Sequence, residues 1–272
     1  MFAHLMDAET GLITLLGFGS LVSESSARQS FEFKNFRLGT CIGAQRIFNR
    51  ADWINIDWGE ACRRTAEVCS LAMMRSADPQ MKTRVSLMDV TATDGLSGFL
   101  ERESTYSIIE VPFKDDTGAA GVALACGECS DDESERLWGA DNWYLLRRRG
   151  RISYSAPEPF EEAIPLVPLD CASNAPLCDE GAGYPQRLDP APGEDVYELP
   201  AGPWVYPSPG YLRLCFHAHR RAGEDVSENF LDTTLLMDRR TTLRTYLDAN
   251  PALAEYVFDP RVHPEWSSDQ VE

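Results

Sequence analysis

The sequence predicts an α+β chain, with a barrel or curled sheet of short strands first and helices after it. Between residues 12 and 128, short apolar or β-branched runs recur at modest spacing, a pattern that suits a barrel better than a doubly wound parallel sheet. From Ser208 onward the apolar period changes to that of helices. In between, Pro176, Pro185, Pro190, Pro192, Pro200 and Pro203 interrupt residues 173–203 and exclude a regular element there. A loop longer than about 15 residues inside a compact domain is a functional cover or a disordered insertion.

In chain order, residues 12–18 read as a strand that runs into Gly17-Phe18-Gly19-Ser20-Leu21, and "RLGTCIGAQRIFNR" (37–50) reads as one strand, or two broken near Gly43. "EVCSLAMMR" (67–75) and "RVSLMDVTA" (84–92) follow. "YSIIEVPF" (106–113) and "AGVALACGE" (120–128) form a pair around the turn "KDDTG". "DGLSGFLERES" is a helix with Leu96, Phe99, Leu100 and Glu103 at i, i+3, i+4 and i+7, which puts a carboxylate on the apolar stripe, while Glu101 faces water. Such a glutamate is either tuned by burial for proton transfer, or solvated at a frayed helix end, or paired with Arg102 or another basic residue.

Ser208 suits an N-cap, Pro209 the first helical position and Gly223 the stop, with Tyr211, Leu214, Cys215 and Ala218 on one face. "SENFLDTTLLM" and "TTLRTYLDAN" read as two further short helices. His217 and His219, two apart, belong on that first helix's surface rather than to an i, i+4 metal pair.

Composition narrows the function. In these 272 residues, 43 acidic against 25 basic side chains give a net charge of −18, which repels nucleic acid. No signal peptide, transit peptide or membrane-spanning run is visible, so a soluble cytoplasmic protein with its eight cysteines reduced is expected. The glycines of "GFGSL" make neither a dinucleotide fingerprint nor a P-loop, and Ser20 is not in a G-x-S-x-G elbow. Cys126 and Cys129 have metal-like spacing without a second pair to complete a zinc site, so buried or incidental thiols are the simpler reading. "RRRGR" (147–151) is a basic island that reads as a solvated or salt-bridged face, or as a contact for an anionic substrate.

Three separated motifs resemble the γ-glutamylcyclotransferase-like superfamily, which includes γ-glutamylcyclotransferase, γ-glutamylamine cyclotransferase, ChaC-type glutathione-specific enzymes and AIG2-like proteins. "LLGFGSL" (15–21) is similar to its Tyr-Gly-Ser strand end, with Phe18 in place of the usual tyrosine. "LSGFLERESTYSIIEVPF" (96–113) resembles the segment that delivers the acid/base glutamate, which falls on Glu103. "PSPGYLRLCFHAH" (207–219) resembles the Pro-Ser-x-x-Tyr helix start, and "GAQRIFNR" (43–50) the second-strand region.

The resemblance implies a small mixed β-barrel flanked by helices, with a site at one barrel end. It implies a single domain over residues 1–272, with a loop insertion at about 173–203 and a helical extension at about 224–272. The implied reaction is intramolecular aminolysis: the α-amino group of a γ-glutamyl unit attacks its own γ-carbonyl and releases 5-oxoproline. Glu103 is then the acid/base. Phe18, Gly19, Ser20 and Leu21 belong to the turn that binds the γ-glutamyl group, and Ser20 is not a nucleophile. Tyr106 and Tyr211 either bond the substrate carboxylate or the glutamate, or are core tyrosines. The only partner expected is a small γ-glutamyl molecule, with no nucleic acid, membrane, metal or organic cofactor. A non-catalytic AIG2-like binding protein that keeps the site is the alternative.

Overall fold

Apolar residues turn inward from the first strand, β1 (Leu12–Gly17), where Ile13, Leu15 and Leu16 are all buried. In the computed structural model, residues 2–51, 66–129, 133, 136, 164–166 and 204–260 are described. The expected insertion at 173–203, the basic island at 147–151, and Cys62, Cys171 and Cys178 lie outside them.

After β1 come a 3-10 turn at Ser20–Val22 and the short helix α1 (Glu24–Arg28), capped by the Ser23 hydroxyl. The 37–50 region is two strands, β2 (Lys34–Ile42) and β3 (Ala44–Ala51). They break at Gly43, whose φ of +72° is natural for glycine. β4 (Glu67–Arg75), β5 (Lys82–Thr91), α2 (Asp94–Arg102), β6 (Ser107–Asp115) and β7 (Ala120–Gly127) follow close to their expected limits. The later part holds β8 (Tyr206–Pro207), α3 (Pro209–Ala222), α4 (Glu224–Thr233), β9 (Leu235–Leu236), α5 (Leu243–Ala249) and α6 (Pro251–Phe258).

The strands pair in the order β1-β5-β2-β6-β7, and β7 returns to β1 through a parallel bridge between Leu15 and Leu124. That bridge closes a five-stranded barrel. Its other four pairings are antiparallel, so the barrel is mixed. From β7 the sheet continues outward through β4, β3 and β9, with β8 also on β4. The fold is therefore α+β, a small mixed barrel with helices packed against it. Leu15, Leu87, Met88, Phe99, Val111 and Leu124 belong to the core with no measurable exposure. Each such buried side chain contributes about 1.5–3 kcal/mol of transfer free energy. None of the described helices is long and apolar enough to cross a membrane.

Three expectations are corrected. The helix expected over 227–237 starts earlier and stops at Thr233. Thr234 is extended, and Leu235–Leu236 pair with Ile47 and Phe48, because the open edge of β3 offers hydrogen bonds that suit β-branched and apolar residues. The buried face of α3 is centred on Leu212, Cys215, Phe216 and His219, with Leu214 only partly buried. A second packing partner causes the shift: Phe216 meets Phe258 of α6 at 4.8 Å between ring centroids. His219, expected at the surface, is fully buried. Its Nδ1 lies 2.7 Å from the Cys215 carbonyl, and its ring stacks on Phe230 at 4.2 Å.

Candidate active site

The turn that follows β1 is fixed from behind. Ser86 Oγ on β5 donates to the Leu21 carbonyl at 2.7 Å. The Phe18 carbonyl accepts from Arg46 Nε on β3 at 3.1 Å. The Phe18 ring lies in the apolar core, only 6% exposed, so this residue offers the turn its backbone rather than a side-chain donor. Ser20 and Leu21 are also buried, which leaves the turn's backbone facing its neighbours. Among the described residues, no other backbone carbonyl engages the Gly19 or Leu21 amide.

Gly19 is where α3 comes closest. A Cβ there would lie 2.8 Å from the Tyr211 hydroxyl and 3.5 Å from Cys215 Sγ, so only glycine fits without moving the tyrosine. Tyr211 packs edge-on against Phe48 of β3, with centroids 6.4 Å apart. Burial, together with Cys215 and then Tyr106 and Glu103, pushes the Tyr211 phenol well above its usual range. It is therefore a neutral donor at physiological pH. Burial likewise pushes the Cys215 thiol up to about 12.

Glu103 stands opposite. α2 stops at Arg102, and Glu103 is its C-cap residue, its N–H still bonded to the Phe99 carbonyl at 2.9 Å. Helix direction therefore carries its side chain inward, where it is 11% exposed, while Glu101 is exposed as expected. Arg102 Nε lies 3.0 Å from Glu103 Oε1, and Arg102 Nη1 donates to Ser30 Oγ at 2.7 Å. The burial and Arg102-pairing alternatives thus both hold for the same carboxylate.

Beneath Glu103 is Cys126 of β7. Burial, and then the negative charge and hydrogen bond of Glu103, push its thiol well above the usual range. A thiol in that state donates and does not attack. Cys129 is occupied differently: Ser107 N–H donates to its sulfur at 3.0 Å. No three His, Cys, Asp or Glu side chains converge as a metal set among the described residues.

Tyr106 follows Glu103 in a turn closed by Tyr106 N–H to the Glu103 carbonyl, 2.9 Å. Its hydroxyl lies 3.5 Å from Ser70 Oγ, and the Arg50 guanidinium sits 3.6 Å from its ring centroid. Arg50 also donates to Thr105 Oγ1. Gly19 and Tyr211 thus meet from two distant parts of the chain, Glu103 and Tyr106 share one turn, and both of the latter influence the Tyr211 phenol electrostatically. Phe18, Ser20 and Leu21 support them from the turn.

Sequence reasoning did not single out Arg46, Arg50, Cys126 or Cys215 as parts of this site. Both arginines lie on β3, whose residues 44–50 are all buried, and a bulge between Phe48 and Arg50 turns Arg50 to the face opposite Arg46. Arg46 has no exposed surface. Burial draws its guanidinium down to about 9, which leaves it cationic at neutral pH.

The class defined by these elements is a mixed α+β barrel with an ionisable side chain facing a glycine turn. No protein-family model matches the chain, and no curated protein matches it. Solved structures similar to it include a γ-glutamyl cyclotransferase, at 11% identity and a TM-score of 0.31, over 43% of this chain and 66% of that one. An uncharacterised human protein matches at 13% identity and a TM-score of 0.30, over 42% of this chain and 64% of the other. YkqA from Bacillus subtilis matches at 14% and 0.31, over 51% and 54%. The chain spans less than two thirds of the length of each of these three proteins.

Proposed function

We propose that this chain is a γ-glutamylcyclotransferase-like enzyme that releases 5-oxoproline from a γ-glutamyl amine, amino acid or peptide. The observation that carries the reading is the approach of Tyr211 to the Gly19 turn, with Glu103 among the charges that raise its phenol. Those are the parts the reaction needs on opposite sides of one carbonyl.

Glu103, ionised beside Arg102, accepts a proton from the α-ammonium group of the substrate. The freed amine attacks the γ-carbonyl carbon, and a tetrahedral oxyanion forms. Amides of the turn donate to that oxyanion. The protonated Glu103 then delivers its proton to the departing nitrogen as the C–N bond breaks, and the restored carboxylate takes the second proton from the ring nitrogen and passes it to the released amine, which leaves the neutral lactam. Acid/base transfer of this kind is worth about 10²–10⁴ in rate. One well-placed oxyanion donor is worth about 10²–10³. The nucleophile belongs to the substrate, and the steps as written call for no metal or organic cofactor.

With this reading go two further proposals: that residues 1–272 form one domain, and that segment 173–203 is an insertion bearing on substrate choice. A second reading is favoured by one contact. Arg102 Nε lies 3.0 Å from Glu103 Oε1, and a binding protein would keep such a pair as a fixed anion for a ligand's ammonium group.

Incubating the protein with a panel of γ-glutamyl amines, amino acids and glutathione, and measuring 5-oxoproline by mass spectrometry, separates the two. Release from any member supports the enzyme. Calorimetric binding with no release from any member supports the binding protein.

A further inference from the structure

Behind the glycine turn lies a buried cation that the proposed reaction does not yet use. Arg46 has no solvent exposure, and among the described residues no carboxylate pairs with it. Its five N–H groups go to neutral acceptors instead. Nε donates to the Phe18 carbonyl at 3.1 Å and Nη2 to the Arg84 carbonyl at 2.6 Å. Nη2 and Nη1 reach Asn229 Oδ1 at 3.3 and 3.5 Å, and Nη1 reaches Thr233 Oγ1 at 3.4 Å. The guanidinium plane lies 5.3 Å from the Phe230 centroid.

A buried charge without a counter-ion is costly, and a fold that needed only to fill this volume would place an apolar side chain there. Stability alone therefore does not account for Arg46. Its placement does. The carbonyl it holds is the one just before Gly19, so Arg46 fixes the peptide plane whose N–H belongs to Gly19. Among the described residues no anion pairs with the positive charge behind that plane.

Resting on the cyclotransferase reading, we infer that Arg46 is a positioning residue: it aims the Gly19–Leu21 amides at the developing oxyanion and adds a fixed positive field behind them. An oxyanion exists only after attack, so the contribution belongs to kcat and not to substrate binding. The same geometry explains why a lysine is a poor substitute: one ammonium group keeps the charge but not the fork that holds the Phe18 and Arg84 carbonyls together.

The test compares Arg46→Met and Arg46→Lys with wild type in three measurements: kcat and KM for 5-oxoproline release, the urea midpoint, and amide hydrogen exchange by peptide. The expected result for Arg46→Met is a kcat lower by about 10²–10³ with KM within threefold. Its urea midpoint stays close to wild type, and faster exchange is confined to the peptide covering Gly17–Ser23. Arg46→Lys recovers part of the lost kcat. An unchanged kcat in Arg46→Met overturns the inference, as does faster exchange spread evenly over β3 and α4, which marks a scaffold role alone. Wild type silent on every γ-glutamyl compound removes the cyclotransferase reading, and exchange then decides separately. Acceleration limited to Gly17–Ser23 in Arg46→Met sustains the positioning role, and no acceleration there ends it.

Discussion

The two sides of the site are built on opposite principles. On the turn side, between β1 and α3, the groups facing inward are backbone amides, a neutral phenol and a neutral thiol, and the one charge, Arg46, is sealed behind them. Across from it, at the end of α2, the working group is a carboxylate in an ion pair with Arg102, whose side chain is 32% exposed. One side is held in a single charge state by burial, whereas the other keeps a carboxylate beside a partner that reaches water. A transition-state donor must not change its charge during reaction, and an acid/base must. Under the proposed reaction, the difference gives each side its task.

Breaking the ionisable side should have the largest effect. Glu103→Gln keeps shape and hydrogen bonding but removes proton transfer, and is expected to lower kcat by about 10²–10⁴ with an unchanged melting curve. Near-wild-type turnover would take Glu103 out of the mechanism.

Disturbing the neutral side comes next. In Gly19→Ala the new methyl meets the Tyr211 hydroxyl at 2.8 Å, and kcat should fall about 10²-fold as the donors shift. Gly98→Ala is the matched control: its Cβ finds only ordinary contact with Phe31 at 3.5 Å, and an alanine inside a helix adds about 0.5–1 kcal/mol of stability. Equal kinetics in the two alanine variants would deny the turn any part in the chemistry.

A finer comparison sets Tyr211 against Tyr106. Tyr211→Phe removes the hydroxyl nearest Gly19 and should cost roughly tenfold in kcat, about one neutral donor. Tyr106→Phe removes a hydroxyl beside Ser70 and should cost less. Unchanged values in both variants would reduce these residues to packing.

Smallest is a pH effect on stability from the sealed region. Burial, and then the charge of Arg46, holds His219 well below the ordinary histidine value of about 6.5, and burial lowers His217 as well. Below pH 6.5 the unfolded chain binds protons at these positions that the folded chain does not. Their contribution to stability is therefore complete above pH 6.5 and declines as the pH falls from there, more for the fully buried His219 than for the half-exposed His217. Urea unfolding at pH 7.5 and 5.5 should show the decline in wild type and a shallower one in His219→Gln. Identical slopes would place the titration elsewhere.

Much of the barrel was legible because each strand announces itself locally: apolar or β-branched runs bounded by turns set β1, β4, β5, β6 and β7 close to their observed limits. Ser208, Pro209 and Gly223 framed α3 for the same reason. What was hidden depends on tertiary partners. Leu235–Leu236 looked helical until β3 supplied an edge to pair with. His219 looked exposed because helical spacing from Tyr211 cannot foresee that α4 and α6 would cover two further sides of α3.

At the site, Glu103 stood out as a charge continuing an apolar stripe, and Gly19 as part of a short motif. Arg46 did not, since an arginine in a strand carries no local sign of what it will touch, and Cys126 was marked only for its spacing to Cys129, not for its place beneath Glu103. Phe18 sharpens the point. Its position was marked by the motif, yet what it offers is a carbonyl, which any residue has.

The central claim is that the turn and Glu103 act on one molecule. Adding a γ-glutamyl compound that the wild type turns over to 15N-labelled Glu103→Gln, which should bind without reacting, tests it directly. Saturable shifts of the Gly19 and Leu21 amides, with an affinity matching calorimetry, are the predicted result. Calorimetric binding that leaves both amides unmoved would contradict the account.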